Sequence, residues 1–340
     1  MQNNYKKLIP FLLILILWSC KEKTEPDIAV ETGSGDAIII CEGMYGLANS
    51  RIDYYSKEHD SISENVFYKS NNRPLGDVLQ SITVLGDYLY LIVNNSQKIE
   101  RVRISDFKSE QILNGLQSPR YLLPLGNKAY VSDLYAQKIH IISIPQMQIS
   151  GHIPLAGWVE EMDSLANFVY ACNYEKPYLY VINSNSDQIV DSIALASNPG
   201  SLVKDKNEKL WVLCGGNISQ SPTSILYQID PIQNQVLQSI PLSNPGAFKL
   251  RINKERDRIY FLSGSDILSM SIQSTQPNSF ISEPGRNWYG LRVEPSTGNI
   301  WACDAKSYAE NGEIRVYNPQ GNLVRQFSSG IIPSDIVFLP

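Results

Sequence analysis

A hairpin that returns every 40 to 51 residues is the feature of this sequence that most restricts its fold. One copy occupies residues 86–104. Its first half, Tyr88–Val93, is a short apolar run suited to a strand buried on both faces. Its second half, residues 98–104, mixes charged with β-branched side chains as a half-exposed partner would. The turn between them is Asn94, Asn95, Ser96 and Gln97. The central aromatic, Tyr90, has counterparts at Tyr130, Tyr170, Trp211, Tyr260 and Trp301, at intervals of 40, 40, 41, 49 and 41 residues. A seventh copy has Ile39 in that place, 51 residues before Tyr90. A single four-stranded sheet cannot bury both of its faces, so repeats of this period in an all-strand chain predict blades stacked around a ring.

The third copy shows the plan of a blade: residues 128–132, 138–144 and 148–153, then a segment that starts the next blade. Outer strands recur at residues 188–193, 235–240 and 322–327, alternating as exposed strands do. The segments leading into the innermost strands share a proline, at Pro119, Pro199, Pro245 and Pro333. Two further copies have Trp158 and Trp288 in its place, and residues 77–82 form the first, which makes seven. The last innermost strand, residues 335–339, has no hairpin after it, and the first hairpin, from Ala37, has no innermost strand before it. The expectation is therefore all-β: a seven-bladed β-propeller of four-stranded antiparallel blades over residues 37–340. The C-terminal strand completes the N-terminal blade by pairing with Ala37–Cys41 and leaves no open edge.

Ahead of this body, Lys6 and Lys7 precede an apolar run over residues 8–18, followed by Ser19 and Cys20. Charge, apolar run and small residue in that order predict a signal peptide over residues 1–19. Leu17, Trp18, Ser19 and Cys20 resemble the lipobox of bacterial lipoproteins, which implies acylation of Cys20; a plain secretory signal with an incidental cysteine is the alternative. The run of 11 residues is too short to span a bilayer, which takes about 20. Residues 20–36 are polar and bear Gly, Ser and Pro, as a lipidated flexible tether would. The remaining 304 residues are long for a single core, but a ring of blades escapes that limit, and 43% hydrophobic with 19% charged residues suits a folded domain. A net charge of −5 argues against a nucleic-acid partner. Cys41, Cys172 and Cys303 hold equivalent places in different blades, and Cys214 is one position further along its own. Strand cores of separate blades lie beyond bridging distance, so all four read as small buried thiols.

The periodic Asn-Pro-Gly lead-ins and the Leu-Tyr/Trp-Val strands resemble the YncE-like seven-bladed propellers. Residues 41–46 (Cys-Glu-Gly-Met-Tyr-Gly) and 72–81 resemble a Bacteroidetes subgroup of surface lipoproteins, the cobalamin-capturing BtuG subgroup. That resemblance implies an outer-membrane, surface-exposed lipoprotein with cobalamin as transported ligand and a TonB-dependent outer-membrane transporter as partner. It also implies polar contacts to a corrin's amides, for which Asn49, Arg73 and Asn94 are suited.

Strand reversal puts the lead-ins and the loops between second and third strands on one face. That face carries Tyr45, Tyr121, Tyr135, Trp158, Tyr174, Trp288, Tyr289 and Tyr308, whereas the opposite face has short charged turns at residues 205–208 and 253–257. Tyr and Trp offer apolar area with a polar handle, so the ligand is expected on the aromatic face. The alternative for Trp158 and Trp288 is that each plugs a gap between blades. The sequence has no Gly-x-Ser-x-Gly elbow, no His-Glu-x-x-His and only three histidines, His59, His140 and His152, none with a second ligand at metal spacing. Glu42, Asp77, Glu160, Glu161 and Asp335 at the face admit a calcium site or a lyase or lactonase centre, but solvated carboxylates at a channel mouth are commoner. The expectation is a binding protein without catalysis or required cofactor; an interaction or surface-layer propeller without small ligand is the alternative.

Overall fold

The computed structural model describes residues 32–217, 219 and 223–340. The expected signal peptide, Cys20 and most of the tether lie outside these residues. Within them the chain forms seven four-stranded antiparallel sheets. The innermost strands are Leu79–Leu85, Pro119–Leu125, Val159–Leu165, Pro199–Lys204, Phe248–Ile252, Trp288–Val293 and Pro333–Phe338. We number the blades 2 to 7 by the first six of these; the seventh belongs to blade 1. Pro333–Phe338 pairs antiparallel with Ala37–Cys41, in the register Ala37 with Phe338 and Ile40 with Asp335. The closure expected from the unmatched ends is therefore present, in a strand that starts two residues and ends one residue earlier than expected. It continues beyond the strand, where Gly35 N donates to Leu339 O at 3.0 Å and Leu339 N to Asp36 O at 2.7 Å.

The core is seven interblade layers rather than one centre. Each layer joins side chains of two successive blades, and the central aromatic of a hairpin faces the next blade: Trp211 packs with Leu250, Ile259 and Phe261, and Trp301 with Ile39, Tyr55 and Ile336. The aromatic polar handles are met inside these layers. Trp211 Nε1 donates to Asp205 at 2.9 Å, Trp301 Nε1 to Glu294 at 3.2 Å, and Tyr170 Oη to Pro231 O at 2.8 Å. Outer strands such as Gln188–Ala194 remain largely exposed.

Blade 1 departs from the plan. Its outermost strand is only Ser61–Ser63, and a short helix, Val66–Asn71, follows with Val66 and Phe67 buried against blades 1 and 2. Six residues without a side-chain cap give the sequence no helical period to announce this element.

Cys41, Cys172, Cys214 and Cys303 are buried and unbridged. The ring brings them together in pairs, Cys172 with Cys214 and Cys41 with Cys303 in shared interblade layers. Burial pushes the thiols up, that of Cys214 to about 12, so thiolate attack is suppressed in the native state. Alkylation of a chain starting at Lys21, denatured but not reduced, is expected to add four groups by mass spectrometry. Two or fewer would reveal a bridge.

Candidate functional site

All seven innermost strands start from one face, and the first part of each carries an irregular register against its neighbour, for instance between Pro119 and Leu122, Val159 and Met162, and Phe248 and Arg251. Bulges of this kind re-aim side chains. The residues they turn toward the axis fall in register along the chain: Gln80, Arg120, Glu160, Gly200, Phe248 and Tyr289 all line one cavity of about 490 Å3 at the mouth of the channel. Tyr121, Glu161 and Lys249, each the next residue, line it too.

One wall is aromatic. Trp158 and Tyr174 stack with centroids 6.0 Å apart and planes 24° from parallel. Across the mouth the Tyr289 hydroxyl donates to Glu42 Oε2 at 3.4 Å, and its ring meets Tyr308 edge-on at 5.5 Å and Phe248 at 6.4 Å. Burial pushes the Glu42 carboxyl up, opposed by the nearby cations of Lys249 and Arg120.

The charges lie in two layers. In the upper one, Arg120 Nε and Nη2 reach Glu160 Oε2 at 3.0 and 2.9 Å, and Nη1 donates to Gln80. In the lower one, Arg251 bridges Glu161 and Asp335, both at 3.0 Å, while its Nε donates to Leu291 O at 3.1 Å. Arg292 holds Asp335 from the other side at 3.1 and 2.7 Å. Burial alone would raise the Asp335 carboxyl, but Arg292 and Arg251 outweigh it and bring it down to about 2. This clamp ties blades 1, 4, 6 and 7 across the axis. Below the mouth a second cavity of about 230 Å3 shares Tyr121 and Glu161 with it.

Of the residues expected from sequence, Tyr121, Trp158, Tyr174 and Tyr289 meet at this cavity. Tyr45, Tyr135 and Tyr308 do not line it and are 79%, 71% and 41% exposed. Four others are engaged elsewhere. Trp288 is buried between blades 6 and 7 and donates to Ser265 O at 2.9 Å, so it plugs a gap as its alternative reading held. Asn49 Oδ1 accepts from Met44 N at 2.8 Å within its own loop, where Gly43, at φ 74°, leaves room that a Cβ would take from Asn49 Oδ1. Arg73 pairs with Glu100 and lies 5.0 Å over Phe67. Asn94 Nδ2 donates to Pro119 O at 3.0 Å and its Oδ1 accepts from Ser118 Oγ at 2.9 Å, which fixes the lead into blade 3. Among the acidic candidates, Glu42, Glu160 and Glu161 line the mouth, Asp335 sits in the lower layer, and Asp77 accepts from Gly46 N at 2.8 Å. Among the described residues no group of three or more His, Cys, Asp or Glu is placed to hold a metal ion. His140 instead lies 3.2 Å from Asp133, which accepts from the backbone N–H groups of Gln117 and Ser118.

Sequence reasoning missed Gln80, Arg120, Phe248, Lys249, Arg251 and Arg292 as site residues. The signal was there for two of them: stacking the repeats places Gln80 and Arg120 40 residues apart and in line with Glu160, a further 40 residues on and already a candidate.

The family described as Domain of unknown function (DUF5074) matches residues 36–338. No curated protein matches the sequence. Among solved structures, a quinonprotein alcohol dehydrogenase-like protein from Bacteroides thetaiotaomicron is 13% identical with a TM-score of 0.70, over 90% of this chain and 78% of that one. The periplasmic gluconolactonase PpgL of Pseudomonas aeruginosa is 12% identical with a TM-score of 0.69, over 91% and 99%. Hydrazine synthase of Kuenenia stuttgartiensis is 13% identical with a TM-score of 0.64, over 75% and 87%. At such identities the likeness is one of fold.

Proposed function

We propose that this chain, which belongs to the DUF5074 family of unknown function, is a ligand-capture propeller that holds a small amphipathic molecule at its aromatic mouth. The observation that carries this reading is the Trp158–Tyr174 stack on the wall of a cavity of about 490 Å3, with Tyr121 and Tyr289 on the same cavity. Such a mixture of flat apolar surface and convergent polar groups is what small-molecule sites present. Cobalamin is the ligand implied by the family resemblance. A corrinoid exceeds the cavity, so it would enter by one edge and rest on the exposed rings of Tyr45, Tyr135 and Tyr308. The channel's arginines are held in ion pairs, which suits a fixed binding surface, and we read the protein as non-catalytic.

The same reading covers the cell surface. Thr32, Gly33 and Ser34 lie beside Gly86, Asp87 and Pro340, on the face opposite the mouth. With Cys20 lipidated in the outer membrane, the mouth would point away from the bilayer, open to ligand and to a TonB-dependent transporter that receives it.

Calorimetric titration with cyanocobalamin tests this. Trp158→Ala is expected to weaken binding about thirtyfold, the effect of losing an aromatic anchor worth about 2 kcal/mol. Lys206→Ala, in an opposite-face ion pair with Asp257 at 3.3 Å, should leave it unchanged. Equal binding by both variants would move the site. No binding by the parent would remove cobalamin and favour an interaction propeller, for which the exposure of Tyr45 (79%) and Leu47 (59%) provides a surface.

A further inference from the structure

Each arginine of the channel is matched by a carboxylate: Arg120 by Glu160, Arg251 by Glu161 and Asp335, Arg292 by Asp335. Lys249 lines the mouth with no hydrogen bond or ion pair to any described residue. Lys249 has φ 57°, in the left-handed region, inside the irregular stretch between Phe248 and Arg251, and a bulge of this kind re-aims a side chain.

A second donor on the same cavity is also unmet, because Trp158 Nε1 is buried and has no partner. The acceptors nearby are already in use. Glu160 and Glu161 are neutralised by Arg120 and Arg251, and Glu42 accepts from the Tyr289 hydroxyl. The mouth thus has two donors without an acceptor, the Lys249 ammonium being set against the Glu42 carboxyl without contacting it, and a buried donor left unpaired is unfavourable until an acceptor arrives.

We infer that Lys249 is the anion-recognition residue of the mouth, and that the captured ligand carries an acidic oxygen group, carboxylate or phosphodiester, beside a flat body that lies on Trp158. This rests on the mouth being the ligand site. An ammonium–oxyanion contact in a partly desolvated cavity separates an anion from its neutral isostere by about tenfold or more.

The test is calorimetry on the full-length chain with 2-naphthoate, methyl 2-naphthyl phosphate and the neutral 2-naphthamide, which share one flat body. The parent is expected to bind at least one anion about tenfold tighter than the amide, and the tighter of the two identifies the acidic group. Lys249→Met should abolish the preference with the melting temperature at the parental value, and Lys249→Arg should restore it. Trp158→Ala should weaken all three probes together. If the parent bound anions and amide equally, or Lys249→Met kept the preference, the role of Lys249 would be overturned with the mouth still a ligand site. If no probe bound, the role of Lys249 would fall, while the mouth as a ligand site would stand or fall with the cyanocobalamin titration.

Discussion

Deletion of residues 331–340 is expected to lower the melting temperature by roughly 10 °C or more, or to leave the chain insoluble. The deleted segment provides Ile336, 0% exposed in the seam between blades 7 and 1, and Leu339, 5% exposed in the seam between blades 1 and 2. Each such side chain contributes about 1.5–3 kcal/mol by burial, so several are lost together. Ala37–Cys41 would become a free edge, open to pairing with another chain. Asp335 goes as well, and with it the carboxylate shared by Arg251 and Arg292. A truncated chain that melted with its parent would show that closure of the ring does not hold the fold.

Arg251→Met is expected to destabilise the folded state by about 3 kcal/mol, because it strips a buried cation from the buried carboxylate of Asp335 and the half-buried one of Glu161. The effect depends on pH in a set direction. The Asp335 carboxyl is held down at about 2 in the folded protein, against about 3.9 in an unfolded chain. A depressed carboxyl contributes stability that is present above the unfolded value and lost as pH falls through the folded one. For Asp335 this is about 2–3 kcal/mol, lost between pH of about 4 and about 2. With Arg251 absent its carboxyl rises, so the variant has less to lose. Denaturation at pH 7, 4 and 2.5 should show the gap between variant and parent narrowing in acid. A constant gap would mean that Arg251 acts by packing alone.

The ring was legible in the sequence because its instructions are local. Each hairpin carries its own alternation, each innermost strand its own lead-in, and the two incomplete ends could be matched by counting strands. The four aromatics that meet at the mouth were legible for the same reason, since the face on which a loop emerges follows from strand parity. The charged half of the site was harder. Arg251 meets Glu161 across 90 residues and Asp335 across 84, and a chain whose inner strands all converge offers many other matches between the same charges.

Trp158 and Trp288 mark the boundary between the two kinds of information. They occupy the same place in the repeat, and the sequence gives both the same two readings. The two-residue turn of blade 6, Gly264 and Ser265, sets a carbonyl 2.9 Å from the Trp288 indole and seals it between blades. Blade 3 has a longer loop there, residues 134–137, which leaves the Trp158 indole without an acceptor on the wall of the cavity. Period, alternation and turn chemistry act within one hairpin and fixed the blade number, their order and the closure. Whether a side chain seals a seam or faces the channel depends on the shape of the neighbouring blade, which exists only after the ring has closed.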